Sequence, residues 1–175
     1  MVYINNFGIV IYVNIEIIQY LQQKNFYTKR AMGKSIKFRV IDFAADGYHW
    51  LVDCTLNGQR YWLIIDTGAT RSVIDQSVLG DAEVTNHPQG LVIGFGSQTD
   101  SISTATIKQI TIGGIDYNDF DVAVADLSNL IELYSQMANV KLAGILGCDF
   151  LMRNATSINI HRKRIYLKPV KGENE

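Results

Sequence analysis

From Ser35 onward the chain alternates apolar and polar residues in short runs, the period-two pattern of half-buried strands. Ile36-Lys37-Phe38-Arg39-Val40 is the first run and reads as one strand. Leu51 to Leu56 and Arg60 to Ile65 flank Asn57-Gly58. An Asn-Gly pair supplies the two positive φ angles of a type I′ turn, so the stretch predicts a hairpin. Thr70 to Ile74 predicts a short returning strand, and Asp75 to Gly80 one helical turn closed by glycine. Leu91-Val92-Ile93, Ser101 to Thr111 and Ile115 to Ala125 predict further strands, the last two joined at Gly113-Gly114. Ser157 to Ile160 and Arg164 to Leu167 complete the set, with the basic run His161-Arg162-Lys163-Arg164 read as an exposed turn. Between them, Asn129 to Ala138 has helical periodicity. Asp126 or Ser128 is its candidate cap, and Leu130, Ile131, Tyr134, Met137 and Ala138 are its apolar face.

The segment before Ser35 follows a different rhythm. Ile11, Ile15, Ile18 and Leu21 recur at helical spacing and predict a short amphipathic helix. Met32, just ahead of the β pattern, offers an alternative start. Phe7 to Ile18 is interrupted by Asn14 and Glu16 and is too short to span a bilayer. No Lys or Arg precedes it and no small-residue cleavage pattern follows, so it does not read as a signal peptide. The expected organisation is an N-terminal extension (1–33), a β domain (34–170) and a charged tail (171–175).

Composition narrows the classes. A chain of 175 residues, 47% hydrophobic, supports one domain with a packed core. Sixteen Lys and Arg against 17 Asp and Glu give a net charge of −1, which offers no electrostatic footprint for a nucleic acid. Cys54 and Cys148 lie far apart and read as two buried thiols; with no signal or membrane span, a cytoplasmic location is expected. His49, His87 and His161 are scattered, so neither a metal site nor a cofactor is expected. Gly94-Phe95-Gly96 lacks the third glycine and following helix of a dinucleotide fingerprint, and there is no Gly-x-Ser-x-Gly elbow. Asn154-Ala155-Thr156 matches a glycosylation triplet that is common by chance. Asp42, Asp46, Asp53, Asp75, Asp116, Asp119 and Asp121 read as turn and surface carboxylates.

The chemistry concentrates at Asp66-Thr67-Gly68-Ala69, directly behind the apolar run Tyr61 to Ile65. A carboxylate at the end of a buried strand needs partners or a shared proton. Thr67 offers a hydroxyl, Gly68 allows close approach to the backbone, and Ala69 adds little bulk. A second segment, Leu142-Ala143-Gly144-Ile145-Leu146-Gly147-Cys148-Asp149-Phe150, is hydrophobic and glycine-punctuated. Between the two lies Gly94-Phe95-Gly96-Ser97.

These segments, each present once and in this order, resemble the active-site loop, the hydrophobic-hydrophobic-Gly element and the flap of retropepsin-like aspartic proteases. The resemblance runs from about Lys34 to Lys168. It implies an all-β, single-lobed acid-protease barrel with one or two short helices, one of them starting near Asp149. It implies an endopeptidase in which Asp66 activates water, Thr67 holds the catalytic loops rigid across a dimer, and Gly68 donates its backbone N–H to the carboxylate. Ala69 matches the retroviral form of the motif. Gly94, Phe95, Gly96 and Ser97 would cover substrate. Gly144, Ile145, Leu146 and Gly147 would back the loop, and Asp149 would tie the following helix to the core. Carboxylate-only peptide hydrolysis needs two carboxyls sharing one proton around a water. One Asp-Thr-Gly per chain then implies a homodimer acting on a peptide or protein substrate, with Thr67, Gly68, the Phe95 tip and a terminal strand in the contact. The competing expectation is a non-catalytic module of the same fold that binds extended peptides or only dimerises.

Overall fold

Asn57 and Gly58 take φ angles of 50° and 72°, and Gly113 and Gly114 take 58° and 80°. Both pairs are therefore primed turns whose twist suits the strands they join, and the two hairpins organise the fold around them. The computed structural model describes residues 2–4, 10–12, 34–43, 47–80, 84–87 and 102–169. The chain divides into two units, Met1–Lys34 and Ser35–Glu175.

In the first unit β1 (Val2–Ile4) pairs antiparallel with β2 (Val10–Tyr12). Ile11 is thus in a strand, not in the expected helix; its neighbours Val10 and Tyr12 are β-branched and aromatic, residues that favour a pleated surface. The remaining positions of that expected helix, the 91–93 strand and the 94–97 flap lie outside the described residues.

The second unit begins with β3 (Ser35–Lys37) and β4 (Arg39–Asp42), and continues with the hairpin β5 (Tyr48–Leu56) and β6 (Gln59–Ile65). Then come β7 (Val73–Asp75), a 3₁₀ turn (Gln76–Val78), β8 (Val84–His87), and the long hairpin β9 (Ile102–Ile112) and β10 (Ile115–Ala125). Helix α1 (Ser128–Ala138), β11 (Leu142–Leu146), helix α2 (Cys148–Asn154), β12 (Ala155–Asn159) and β13 (Arg164–Leu167) complete the order.

Six strands close a barrel in the order β5-β6-β11-β7-β10-β9, with β9 returning to β5 where Cys54 faces Ile112 and Thr55 faces Thr111. β4 and β8 extend the sheet beyond the ring. Closure removes the free edges of the six ring strands. β11 is the inserted strand: it runs parallel to β6 and antiparallel to β7, between two segments contiguous with the Asp66 loop.

The run Ile36 to Val40, expected as one strand, is split. β3 joins β13 in a separate three-stranded sheet and β4 joins β5 in the barrel sheet. Phe38 marks the break: its N–H donates to Lys163 O at 3.0 Å, and its buried ring stacks on Trp50. A period-two pattern is blind to a strand that changes sheets without losing alternation. In that smaller sheet β13 lies between β12 and β3, so the last strand is not an edge as expected; the outer positions belong to β12 and β3.

The main core includes Ile36, Leu63, Ile65, Ile74, Ile110, Ile112, Leu146 and Phe150. A second cluster, Ile41, Leu51, Tyr134, Val140 and Leu142, packs beside α1. Tyr134 is the buried residue of that helix, whereas Met137, expected on the apolar face, is 56% exposed. The Tyr134 hydroxyl bonds His49 Nδ1, and burial pushes its pKa up to about 12. Neither expected cap lies at the N-cap position, which is Leu127; the carboxylate of Asp126 accepts the Ser128 N–H at 2.9 Å. No helix among the described residues is long and apolar enough to cross a membrane.

Phe150 is 1% exposed and meets the rings of Tyr117 and Phe120 edge-on at 5.1 and 6.2 Å. Phe150→Ala is expected to lower unfolding free energy by about 3–5 kcal/mol, from lost burial plus an unfilled cavity. Urea unfolding of the variant beside wild type measures this.

Candidate active site

The apolar strand β6 buries Leu63 and Ile65 and delivers Asp66 at its exit. The Asp66 N–H donates to Leu146 O at 3.0 Å, continuing the β6–β11 pairing one residue beyond β6. Gly68 N–H donates to Asp66 Oδ1 at 2.7 Å, and Ala69 N–H to Asp66 O at 3.3 Å. The loop is therefore a tight turn folded over its own carboxylate. Oδ2 of Asp66 has no hydrogen bond among the described residues. Asp66 is half-buried, Thr67 and Gly68 are exposed and Ala69 is buried.

The second glycine-punctuated segment packs directly behind. A Cβ on Gly147 would stand 2.6 Å from both C and O of Arg71, and one on Gly144 would stand 2.0 Å from Val73 O. Only glycine permits backbones to approach so closely. Ser72 knits the contact. Its 1%-exposed hydroxyl accepts the Gly147 N–H at 3.0 Å and donates to Asp149 Oδ1 at 2.8 Å. The same oxygen of Asp149 also accepts the N–H groups of Ser72 at 2.9 Å and Phe150 at 2.8 Å. Cys148 adds two bonds: its N–H donates to Ala69 O at 2.8 Å and its thiol to Thr67 O at 3.0 Å.

The structure thus brings Asp66, Thr67, Gly68 and Ala69 together with Leu146, Gly147 and Asp149. Gly144 and Ile145 lie one strand row further in, opposite Ile74 and Val73. Gly94, Phe95, Gly96 and Ser97 lie outside the described residues. Ser72 was not singled out in the sequence, and nothing in its local pattern marks it; its role depends on two residues 75 and 77 positions away. Asp75, expected at the surface, is 2% exposed. Its carboxylate accepts the N–H of Ser77 at 2.9 Å and of Leu127 at 2.6 Å, tying the 3₁₀ turn to the start of α1. A carboxylate that caps two backbone segments is stable when buried because each oxygen has a donor. Among the described residues no group of three or more His, Cys, Asp or Glu is placed to hold a metal ion.

Both cysteines are free; Cys54 is buried and Cys148 is half-buried. Burial, with a smaller contribution from the Asp53 charge, pushes the Cys54 thiol up to about 12.

A family model described as aspartyl protease matches residues 52–150. In structure the chain is similar to a retropepsin-like aspartic protease from Rickettsia conorii, at 16% identity and a TM-score of 0.44, over 77% of this chain and 91% of that one. Comparison with curated proteins returns no match.

Two predictions follow from the packing behind the loop. Ser72→Ala leaves the Gly147 N–H without its acceptor in a buried place and is expected to cost about 1–3 kcal/mol, read as a lower urea midpoint with an unchanged slope. A thiol reagent at neutral pH is expected to modify Cys148 alone in the folded protein, with Cys54 reacting only on unfolding. Mass spectrometry of the labelled protein distinguishes the two.

Proposed function

The chain belongs to the aspartyl protease family, and we propose that it is an endopeptidase that hydrolyses peptide bonds with two Asp66 carboxylates, one from each protomer of a homodimer. The observation that carries this reading is the Asp66 loop. Its carboxylate is held by Gly68 N–H through Oδ1, while Oδ2 has no partner among the described residues. Such a group is oriented yet still able to bind and activate a water.

A single carboxylate does not complete the chemistry. One carboxyl must take a proton from the water while another, protonated, polarises the scissile carbonyl. Two carboxyls in contact share a proton and titrate as a unit. Asp149 is committed to three donors around Ser72, and Asp75 to the 3₁₀ turn and Leu127. The second carboxyl is therefore assigned to a second copy, which a two-fold axis beside the exposed Thr67-Gly68 corner would supply. Thr67 has an exposed side chain and a main-chain oxygen already bound by Cys148, so its hydroxyl is available to the partner loop. Peptide or protein is the substrate in this reading.

Asp66→Asn is expected to reduce cleavage of a peptide library by roughly 100- to 10,000-fold while the circular dichroism spectrum stays that of wild type. Wild-type specific activity is expected to fall on dilution, and added Asp66→Asn subunits to poison it by forming one-carboxylate heterodimers. Full activity from a species with the mass of one chain would overturn the two-carboxylate assignment.

A further inference from the structure

Nearly every lysine and arginine among the described residues is exposed; the two that are half-buried are Arg71 and Arg164. Arg164 has a partner, donating from Nη1 to Ser35 Oγ at 2.9 Å. Arg71 makes no side-chain hydrogen bond or ion pair among the described residues. A half-buried arginine whose five N–H donors have no partner among the described residues has its full capacity for an anion in reserve.

That position is beside the catalytic loop. Arg71 C and O are the atoms that a Gly147 Cβ would strike, at 2.6 Å, and Gly147 follows Leu146, whose oxygen holds the Asp66 N–H. Alternation along β6, β11 and β7 sets out the two faces of the sheet at this end. Leu63, Ile65, Ile74 and Leu146 belong to the main core. Their strand neighbours Ile64, Ile145 and Val73 form a cross-strand row on the opposite face, Ile145 pairing with Ile64 on one side and Val73 on the other. Asp66, next after the inward Ile65, leaves on the face of Ile64. Ser72 turns inward to Gly147 and Asp149, and Arg71 precedes it in the bend between the Asp66 turn and β7. The carboxylate and the unpaired cation therefore stand at the same end of the barrel.

We propose that Arg71 is a specificity-determining residue that selects substrates carrying an acidic side chain close to the scissile bond. The half-buried Val73 would contact an aliphatic neighbour of that residue. The inference rests on the endopeptidase reading above. In a two-fold dimer two Arg71 side chains flank the paired Asp66 residues, so the acidic preference falls on both sides of the cleaved bond. A guanidinium accepts a carboxylate through two parallel N–H donors, which gives Arg71 directional discrimination as well as charge.

The test is cleavage of matched peptides that differ only by Glu or Gln at each position around the bond, using the full chain. Wild type is expected to favour Glu by roughly tenfold in kcat/KM, the scale of a hydrogen bond to a charged group. The preference should weaken as salt is raised. Arg71→Lys should keep the sign of the preference, and Arg71→Glu should reverse it toward Lys-containing peptides. Wild type that cleaves Glu and Gln peptides equally overturns the inference and leaves the endopeptidase reading intact. So does an Arg71→Glu protein that changes the dilution dependence but not the Glu/Gln ratio, which would assign Arg71 to the contact between subunits. Should Arg71→Glu fail to fold, the wild-type ratio and Arg71→Lys still decide. Absence of any cleavage by wild type, or cleavage undiminished in Asp66→Asn, overturns the endopeptidase reading itself and this inference with it.

Discussion

The buried hydroxyl of Ser72 joins the two segments on which the site depends. One is the chain leaving the Asp66 turn; the other is the turn from β11 into α2. The Ser72 hydroxyl accepts the Gly147 N–H and donates to Asp149, whose oxygen also accepts two backbone N–H groups. The Ser72 hydroxyl and N–H and the Gly147 N–H are satisfied from across the junction, so the backbones can be pressed together without leaving these groups orphaned in the interior. Gly147 is the steric counterpart: any larger residue would collide with Arg71 at 2.6 Å. The loop that presents Asp66 is thereby fixed from behind, and rigidity behind a reacting group is what keeps its orientation from being lost to loop motion.

Barrel closure provides the second constraint. β11 is inserted between β6 and β7, parallel to the first and antiparallel to the second. This places the exits of β6 and β11 and the entry of β7 at one end of the barrel. Asp66, Gly147 and Ser72 meet there because of strand direction, not because of sequence proximity. α1 covers the other end of the same face, where Trp62, Ile64 and Leu142 pack with Tyr134. One end of this face is thus closed by a helix. The Asp66 end remains accessible: Thr67 and Gly68 are exposed there, and Arg71 is half-buried.

What was legible in the sequence was local. Asn57-Gly58 and Gly113-Gly114 encode their turns through backbone preference alone, and both hairpins formed where the pairs stand. The Asp66 tetrapeptide and the glycine-punctuated 142–150 segment carried the family resemblance because each is a short block of contiguous residues. What was not legible depended on long-range partners. Ile36 to Val40 keeps one alternation while serving two sheets. Asp75 looks like any turn aspartate until Leu127, 52 residues later, arrives to bond it. Met137 has the helical spacing of a core residue, but the second cluster is narrow and is filled at α1 by Tyr134, Leu130, Ile131 and Ala138.

The same corner bears on the proposed dimer. Within the clasp the Ser72 hydroxyl, the Gly147 N–H and Asp149 Oδ1 are matched, and Asp66 Oδ1 is occupied by Gly68. The polar capacity left over at this corner, among the described residues, includes Asp66 Oδ2, the exposed Thr67 hydroxyl and the Arg71 guanidinium. These differ in what they require. A carboxylate oxygen and a hydroxyl can be satisfied by water or by the same groups on a symmetric copy, since an oxygen and a hydroxyl complement their own kind when a proton is shared. A guanidinium cannot pair with itself. In the proposed dimer two-fold symmetry would account for Asp66 and Thr67 but leave Arg71 in want of an anion, and a substrate lying across the axis would bring one to each side.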